Sequence, residues 1–266
     1  TRMTTRREAV REAFAQPAWY LNRRSYNIAI RVETVQEFLR GRKFSRVLDV
    51  ACGDGSASIP LLQGIQGLTL LDMSAGMLEV AGRKIPAALQ GKVRFINDDF
   101  LRADLEPGSF DLIICLGLIA HVDSPGDVIA RIASLLAPGG IVVMESSDAG
   151  NFLNSITVAH HRILEVLGRM RYELKLTTRH DVIGMFEAQD LRLRAIYRYS
   201  LPAVLPALER VIPQKMLYHL IHIVYGSARR NRNAWLGKEC LYLFESPGPS
   251  APATEERKEV SAETLN

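Results

Sequence analysis

The sequence predicts a doubly wound α/β fold, in which helices cover both faces of a mostly parallel sheet. Two observations carry that expectation. Short apolar runs suited to buried strands alternate with helix-period segments from Arg46 to Ser146, and the first of these runs ends in a Gly-x-Gly turn, Gly53-Asp54-Gly55. A chain of 266 residues, 47% hydrophobic and 23% charged, is long enough to bury one large core. No apolar stretch approaches the ~18 residues of a membrane-spanning helix; the nearest runs from Leu112 to Ala120. A polytopic membrane protein is thereby excluded. Arg2, Arg6, Arg7 and Arg11 have no apolar run behind them, so the chain as given is expected to lack a secretory signal and to work in the cytoplasm. Cys52, Cys115 and Cys240 are too scattered for a disulfide framework, and no Cys/His spacing suits zinc, so no metal is expected. The net charge of +4 sits mostly at the start, where residues 1–46 hold eleven Arg or Lys against four Glu. That excess reads as a solvated helix face or as a surface for an anionic partner.

The elements follow in order. Strands are expected at Arg46–Ala51, Leu68–Asp72, Val93–Ile96, Phe110–Leu116 and Ile141–Ser146, with helices at Ser56–Gln63, Ala75–Lys84 and Ser124–Leu136 between them. The last of these helices is stopped by Pro138-Gly139-Gly140, which turns the chain into the next strand. After Ser146 the rhythm changes. A helical stretch around Phe152 to Leu167 precedes a helix-strand pair, Arg179–Ala188 and Leu191–Tyr199. A second helical insertion follows, with Pro202, Pro206 and Pro213 as breakers and Leu217, Leu220, Ile221 and Val224 at helical spacing, before a last strand at Glu239–Glu245. That apolar stripe fits core packing, an apolar substrate wall, or a membrane-facing patch flanked by Arg229, Arg230 and Arg232. Residues 247–266, Pro-rich and then charged, lack apolar groups for packing and read as a disordered tail.

The chemistry concentrates at strand ends. In Val47-Leu-Asp-Val-Ala-Cys-Gly-Asp-Gly55 an apolar strand carries Asp49 and passes through Ala51 into the glycine turn. Gly53 and Gly55 let a ligand approach the backbone, since a Cβ there would collide with it or demand a strained φ. Ser58 stands where a dinucleotide fingerprint needs its third glycine, and Asp49 would repel a pyrophosphate but suits a ligand ammonium. No Gly-Lys-Ser/Thr follows, so a P-loop is excluded as well. Nineteen residues after Gly53 the second strand ends in Asp72-Met73, which places an acid where it can accept both hydroxyls of a ribose and a methionine where it can pack on a base. After the third strand, Asp98 and Asp99 with Phe100 can receive an exocyclic amine and lie beside a base, or form a plain acidic turn.

Together these residues resemble the class I S-adenosylmethionine-dependent methyltransferases, small-molecule branch, over about Arg46 to Ser147. VLDVACGDG is similar to that family's glycine-rich motif, Asp72 to its ribose acid and Asp99 to its adenine acid. The run from Phe110 to Val122 resembles its fourth-strand motif, and Leu135-Leu-Ala-Pro-Gly-Gly140 the turn before strand five. The resemblance implies a Rossmann-like, mostly parallel seven-stranded sheet with an antiparallel last strand, and S-adenosyl-L-methionine as cofactor. It implies that Asp49, Ala51 and the Gly53–Gly55 backbone hold the methionine part of that cofactor and that Cys115 and Leu116 face it. A single domain over 1–246 is then expected, with a helical lid at 1–45, the cofactor core at 46–146, and insertions at 147–178 and 201–232 covering the active site.

In the family's small-molecule branch an N-terminal helix closes over the cofactor through tyrosines and an arginine. Here Arg31 could pair with the cofactor carboxylate or be a surface arginine, while Tyr20 and Tyr26 could serve lid or core. His121, just past the fourth strand, could be a general base or substrate contact, or play a structural part. His160, His161, His219 and His222 on the insertions are weaker candidates. The implied activity is methyl transfer to an oxygen, nitrogen or carbon centre of a small, partly apolar molecule, with catalysis by orientation and desolvation and no metal needed. Two alternatives stand beside it: an RNA or protein acceptor using the basic start of the chain, and a non-catalytic binding protein of the same fold. Nucleic acid is disfavoured, because no RNA module is appended and the fourth strand ends in Cys115-Leu116-Gly117-Leu118 without the Pro-Pro motif of base-amino methylating relatives. Peripheral membrane contact stays open. Neither the acceptor nor the oligomeric state is legible in these residues.

Overall fold

The computed structural model describes residues 21, 25–152, 177–201 and 212–248. Tyr20, the basic residues before it, His160 and His161, Pro202 and Pro206, and the tail from residue 249 onward lie outside the described residues. The described chain runs through α1 (Ser25–Leu39), β1 (Arg46–Val50), β2 (Gly67–Leu71), α2 (Ala75–Lys84), β3 (Val93–Ile96) and β4 (Phe110–Cys115). It continues through α3 (Pro125–Leu135), β5 (Leu136–Ser147), α4 (Arg179–Glu187), β6 (Arg192–Tyr199), α5 (Gln214–Tyr225) and β7 (Glu239–Glu245).

The strands form one seven-stranded sheet in the order β3-β2-β1-β4-β5-β7-β6. β1 to β5 pair in parallel, and β7 lies antiparallel between β5 and β6. The order reverses between β1 and β4, which opens the crevice at their carboxyl ends where α/β proteins of this kind hold ligands. Strand residues alternate between two cores. Leu48, Val50, Ile113 and Cys115 pack with Val128, Ile132, Val182 and Phe186 of α3 and α4, whereas Val47, Leu112, Ile114 and Val143 pack with Val35, Leu39, Leu78 and Ala81 of α1 and α2. Both faces are apolar, which is why these strands read as continuous hydrophobic runs. A third cluster joins Tyr26 and Ile30 of α1 to Tyr197 and Tyr199 of β6 and to Leu217, Ile221 and Tyr225 of α5. Core packing is therefore what Leu217 and Ile221 do.

One expected element takes a different form. The helix foreseen over Ser56–Gln63 is a series of turns followed by a short 3-10 helix, Ile59–Gly64. Pro60 has no N–H to give Ser56 and can only begin a helix, while the Ser58 hydroxyl is drawn down onto Asp49 at 2.5 Å. Elsewhere the local signals hold. Ser74 caps α2 by accepting from Met77, and Thr178 with Asp181 forms a capping box on α4. α3 ends at Leu135, and Ala137 to Gly140 form an irregular stretch in which the pairing with β4 jumps from Phe110↔Leu136 to Leu112↔Ile141.

Candidate active site

The crevice begins with backbone strain. Ala51, Gly53 and Gly55 all take positive φ, at 53°, 54° and 69°, so the chain leaving β1 curls into a left-handed turn that only glycine adopts without cost. A Cβ added to Gly55 would lie 2.6 Å from Ile59 Cδ1, whereas one added to Gly53 would meet no protein atom within 4 Å. Gly55 is needed for the turn's own packing. Gly53 faces open space, as a cradle for a ligand backbone contact requires.

Asp72, one residue past β2, ties that turn down. Its Oδ2 accepts from the Gly53 N–H at 2.8 Å and its Oδ1 from the Ser74 N–H at 2.8 Å. Burial raises its pKa, and the two amide donors oppose the rise. Each carboxylate oxygen keeps a lone pair for a further donor. Asp99 is set by a turn of its own, with Oδ1 accepting from Leu101 N–H at 3.0 Å. Phe100 beside it is buried, with the Arg131 guanidinium over its ring at 5.6 Å. A cavity of about 200 Å³ brings six of the anticipated residues together: Ala51, Asp72, Met73, Asp99, Phe100 and His121. Leu118 and Val122 add apolar wall that the sequence reading missed; their spacing from His121 in the turn after β4 is the signal that could have found them. Asp98 stays outside this cavity and caps the Asp99 N–H at 2.7 Å.

The other anticipated residues lie elsewhere. Asp49 is buried beneath the glycine turn and accepts from Ser58. Burial, with smaller contributions from Asp72 and Asp54, pushes its carboxyl up to about 7 against the Ser58 hydrogen bond. A carboxyl balanced in that way is ready to ionise beside a cation. Cys115 is fully buried in the core, its thiol pushed up by burial, and Leu116 is half-buried between the second and third clusters. Neither side chain lines the cavity. Tyr26 is buried in the third cluster rather than on the cavity wall.

Arg31 is no surface arginine. Its Nε and terminal nitrogen meet Glu145 at 2.8 and 2.6 Å, and its guanidinium lies 3.3 Å from where a Cβ of Gly117 would stand, just past β4. Glu145 itself is 2% exposed, its pKa raised by burial and pulled back by Arg31. Tyr199 of β6 donates to Glu145 Oε1 at 3.5 Å and also to Asn27 of α1. This buried polar cluster at the carboxyl ends of β5 and β6 was not anticipated. On the other side of α1 an open groove of about 620 Å³ runs between Ile28, Ala29 and Val32, the glycine-turn residues Asp54 and Ser56, and Tyr218 of α5. Tyr218 donates to Glu33 at 2.7 Å, which pushes its phenol up to about 12. His222 sits 2.9 Å from the same carboxylate, and His219 is exposed. Among the described residues no group of three or more His, Cys, Asp or Glu side chains is placed to hold a metal ion.

Residues 47–140, which carry the glycine turn, both acids and His121, match the methyltransferase domain family. That match covers 94 of the chain's 266 residues. The chain is also similar to the ubiquinone biosynthesis O-methyltransferase of Bordetella avium, 28% identical over 143 residues, 53% of this chain and 58% of that one. The enzyme of the same description from Erwinia tasmaniensis is 28% identical over 176 residues, 63% of this chain and 70% of that one. The match spans little more than half the length of the Bordetella relative. Among solved structures, magnesium protoporphyrin IX methyltransferase from Synechocystis PCC 6803, with bound SAH, superposes with a TM-score of 0.61 at 15% identity, covering 91% of this chain and 99% of that one. At that identity the likeness is one of fold.

Proposed function

We propose that the chain transfers a methyl group from S-adenosyl-L-methionine to an oxygen, nitrogen or carbon centre of a small, partly apolar molecule. The observation that carries this reading is the convergence of Asp72 and Asp99, from successive strand ends, on one cavity beside a glycine turn whose Gly53 has open space above its backbone. When bound, S-adenosyl-L-methionine supplies a methyl group on a sulfonium, a strong electrophile. The residues of the chain bind, orient and desolvate. Asp72 offers its remaining lone pairs to the ribose hydroxyls, Asp99 accepts the exocyclic amine, and Met73 and Phe100 flank the base. Asp49 ionises to face the ammonium. Leu118 and Val122 exclude water from the same space, which strengthens each polar contact made there. His121 shares this cavity with the two acids, and that placement supports a cofactor-side or substrate-positioning contact more than proton abstraction at a remote acceptor.

The acceptor fits the open groove along α1, where Ile28, Ala29 and Val32 offer apolar contact and Glu33 and Tyr218 offer polar anchors. The O-methyltransferase names of the relatives support an oxygen centre. Incubation with methyl-labelled S-adenosyl-L-methionine and fractionated cell extract tests the reading. Label in organic-soluble metabolites is expected; label confined to RNA or protein would contradict the small-molecule acceptor, and failure to bind S-adenosylhomocysteine would contradict the cofactor.

A further inference from the structure

α5 is apolar on two sides. Its inner face, Leu217, Ile221 and Tyr225, is buried against α1 and β6. Its outer face carries Met216 and Ile223, 60% and 73% exposed, with His219 exposed between them and Leu220 beside them, a stripe at i, i+3, i+4 and i+7. These two belong to a short set of large apolar side chains exposed among the described residues, and Trp235, 63% exposed and stacked on exposed Phe152, follows in the same segment.

Along the chain, the charge flanking this stripe has one sign. From Ile212 to Lys238 the chain holds Lys215, Arg229, Arg230, Arg232 and Lys238 and no acidic residue. Lys215 flanks one end of α5. At the other end the chain is folded back onto the helix: Arg232 N–H donates to Tyr225 O at 2.7 Å, and Asn231 and Asn233 side chains donate to Tyr225 O and Val224 O at 3.1 and 2.8 Å. That turn, with Glu37 accepting from the Arg229 N–H at 3.1 Å, fixes Arg229, Arg230 and Arg232 as exposed groups at the helix C-terminus, and among the described residues none of the three guanidinium groups forms an ion pair. Glu33 and Glu37 of α1 meet this segment on its inner side, through Tyr218 and His222 and through the Arg229 N–H, and an exposed apolar stripe between cationic ends has the chemistry of an element that lies in a headgroup layer.

We propose that the outer face of α5, with the arginine turn behind it, docks the protein on an anionic lipid surface. The apolar side chains enter the headgroup boundary and the cations meet phosphate. Tyr218, on the same helix, lines the groove along α1, so docking sets that groove beside the lipid, where an apolar acceptor partitions. The docking does not depend on the methyl-transfer reading, and the two are measured separately.

The test is flotation of the full chain with phosphatidylcholine vesicles, with and without phosphatidylglycerol, at low and high salt. Binding is expected to phosphatidylglycerol vesicles and to fall with salt. Arg229→Ala with Arg230→Ala should weaken it about 25-fold, and Ile223→Asp about tenfold or more, with melting temperature and S-adenosylhomocysteine affinity unchanged in both. The proposal is overturned if the wild-type chain ignores anionic vesicles at low salt, or if these variants bind as wild type does. It is equally overturned if Ile223→Asp melts several degrees early, which would mean the chain itself covers this face, or breaks a dimer, which would assign the face to a second copy. Binding of single-stranded RNA through the arginines in place of vesicles would also overturn it.

Discussion

At the tips of β1 and β2, Asp72 reaches the Gly53 amide nineteen residues away and the Ser74 amide two residues away, and every contact is to main chain. Across the same sheet, Glu145 of β5 reaches Arg31 over 114 residues, and Tyr199 of β6 reaches Asn27 over 172, side chain to side chain. The first region is built from backbone geometry that a short motif specifies. The second exists only once the chain has closed on itself. The first region is pinned by a carboxylate that backbone amides hold, so a ligand can come and go there without breaking an ion pair, whereas the second locks α1 to the sheet through an ion pair that cannot lose one partner cheaply.

The largest effect is expected in the second region. Arg31→Ala leaves the Glu145 carboxylate buried without its partner and should destabilise the chain by about 4 kcal/mol, while Arg31→Met with Glu145→Leu should recover most of that. Chemical denaturation of the single and double variants checks it. Equal losses in both would show that the pair is held for packing rather than charge.

Asp49 gives the next effect. Its folded pKa of about 7 lies above the ordinary 3.8, so the folded state binds the proton more tightly than the unfolded state. The stabilisation is complete below the unfolded pKa and is lost as pH rises through the folded one. Between pH 5 and 8 the ligand-free protein should lose about 3 kcal/mol from this group. Asp49→Asn should flatten that slope, measured as melting temperature against pH, and should weaken S-adenosylhomocysteine binding most above pH 7.

Much of the first region was legible beforehand, for physical reasons. Strands buried on both faces read as apolar runs, positive φ reads as glycine, and acids within three residues of the carboxyl ends of neighbouring parallel strands fall beside each other. The rest was not. Ala51 gives no composition signal for its left-handed φ, Pro60 bars the regular helix that apolar spacing alone suggests over Ser56–Gln63, and nothing local marks Glu145, an acid inside an apolar strand, as the partner of Arg31. The same limit applies to Tyr26, whose place in the third cluster depends on β6 and α5 arriving next to α1.

A smaller pair of substitutions separates stability from binding inside the first region. Gly55→Ala forces a side chain into a left-handed turn against Ile59 and should cost about 2 kcal/mol of stability. Gly53→Ala has open space for its Cβ and should cost only about 1 kcal/mol through φ, while lowering ligand affinity about tenfold because that space is where the ligand approaches. Reversal of that order would mean the ligand does not pass over Gly53.

The central claim is that the acids at the ends of β2 and β3, with the glycine turn, hold S-adenosyl-L-methionine. Calorimetric titration of S-adenosylhomocysteine into wild type and Asp72→Ala tests it most directly. The account predicts stoichiometric binding to wild type and about 100-fold weaker binding to the variant, with a cooperative melt retained within a few degrees. Unchanged affinity in a folded Asp72→Ala protein, or no binding by wild type, would contradict it.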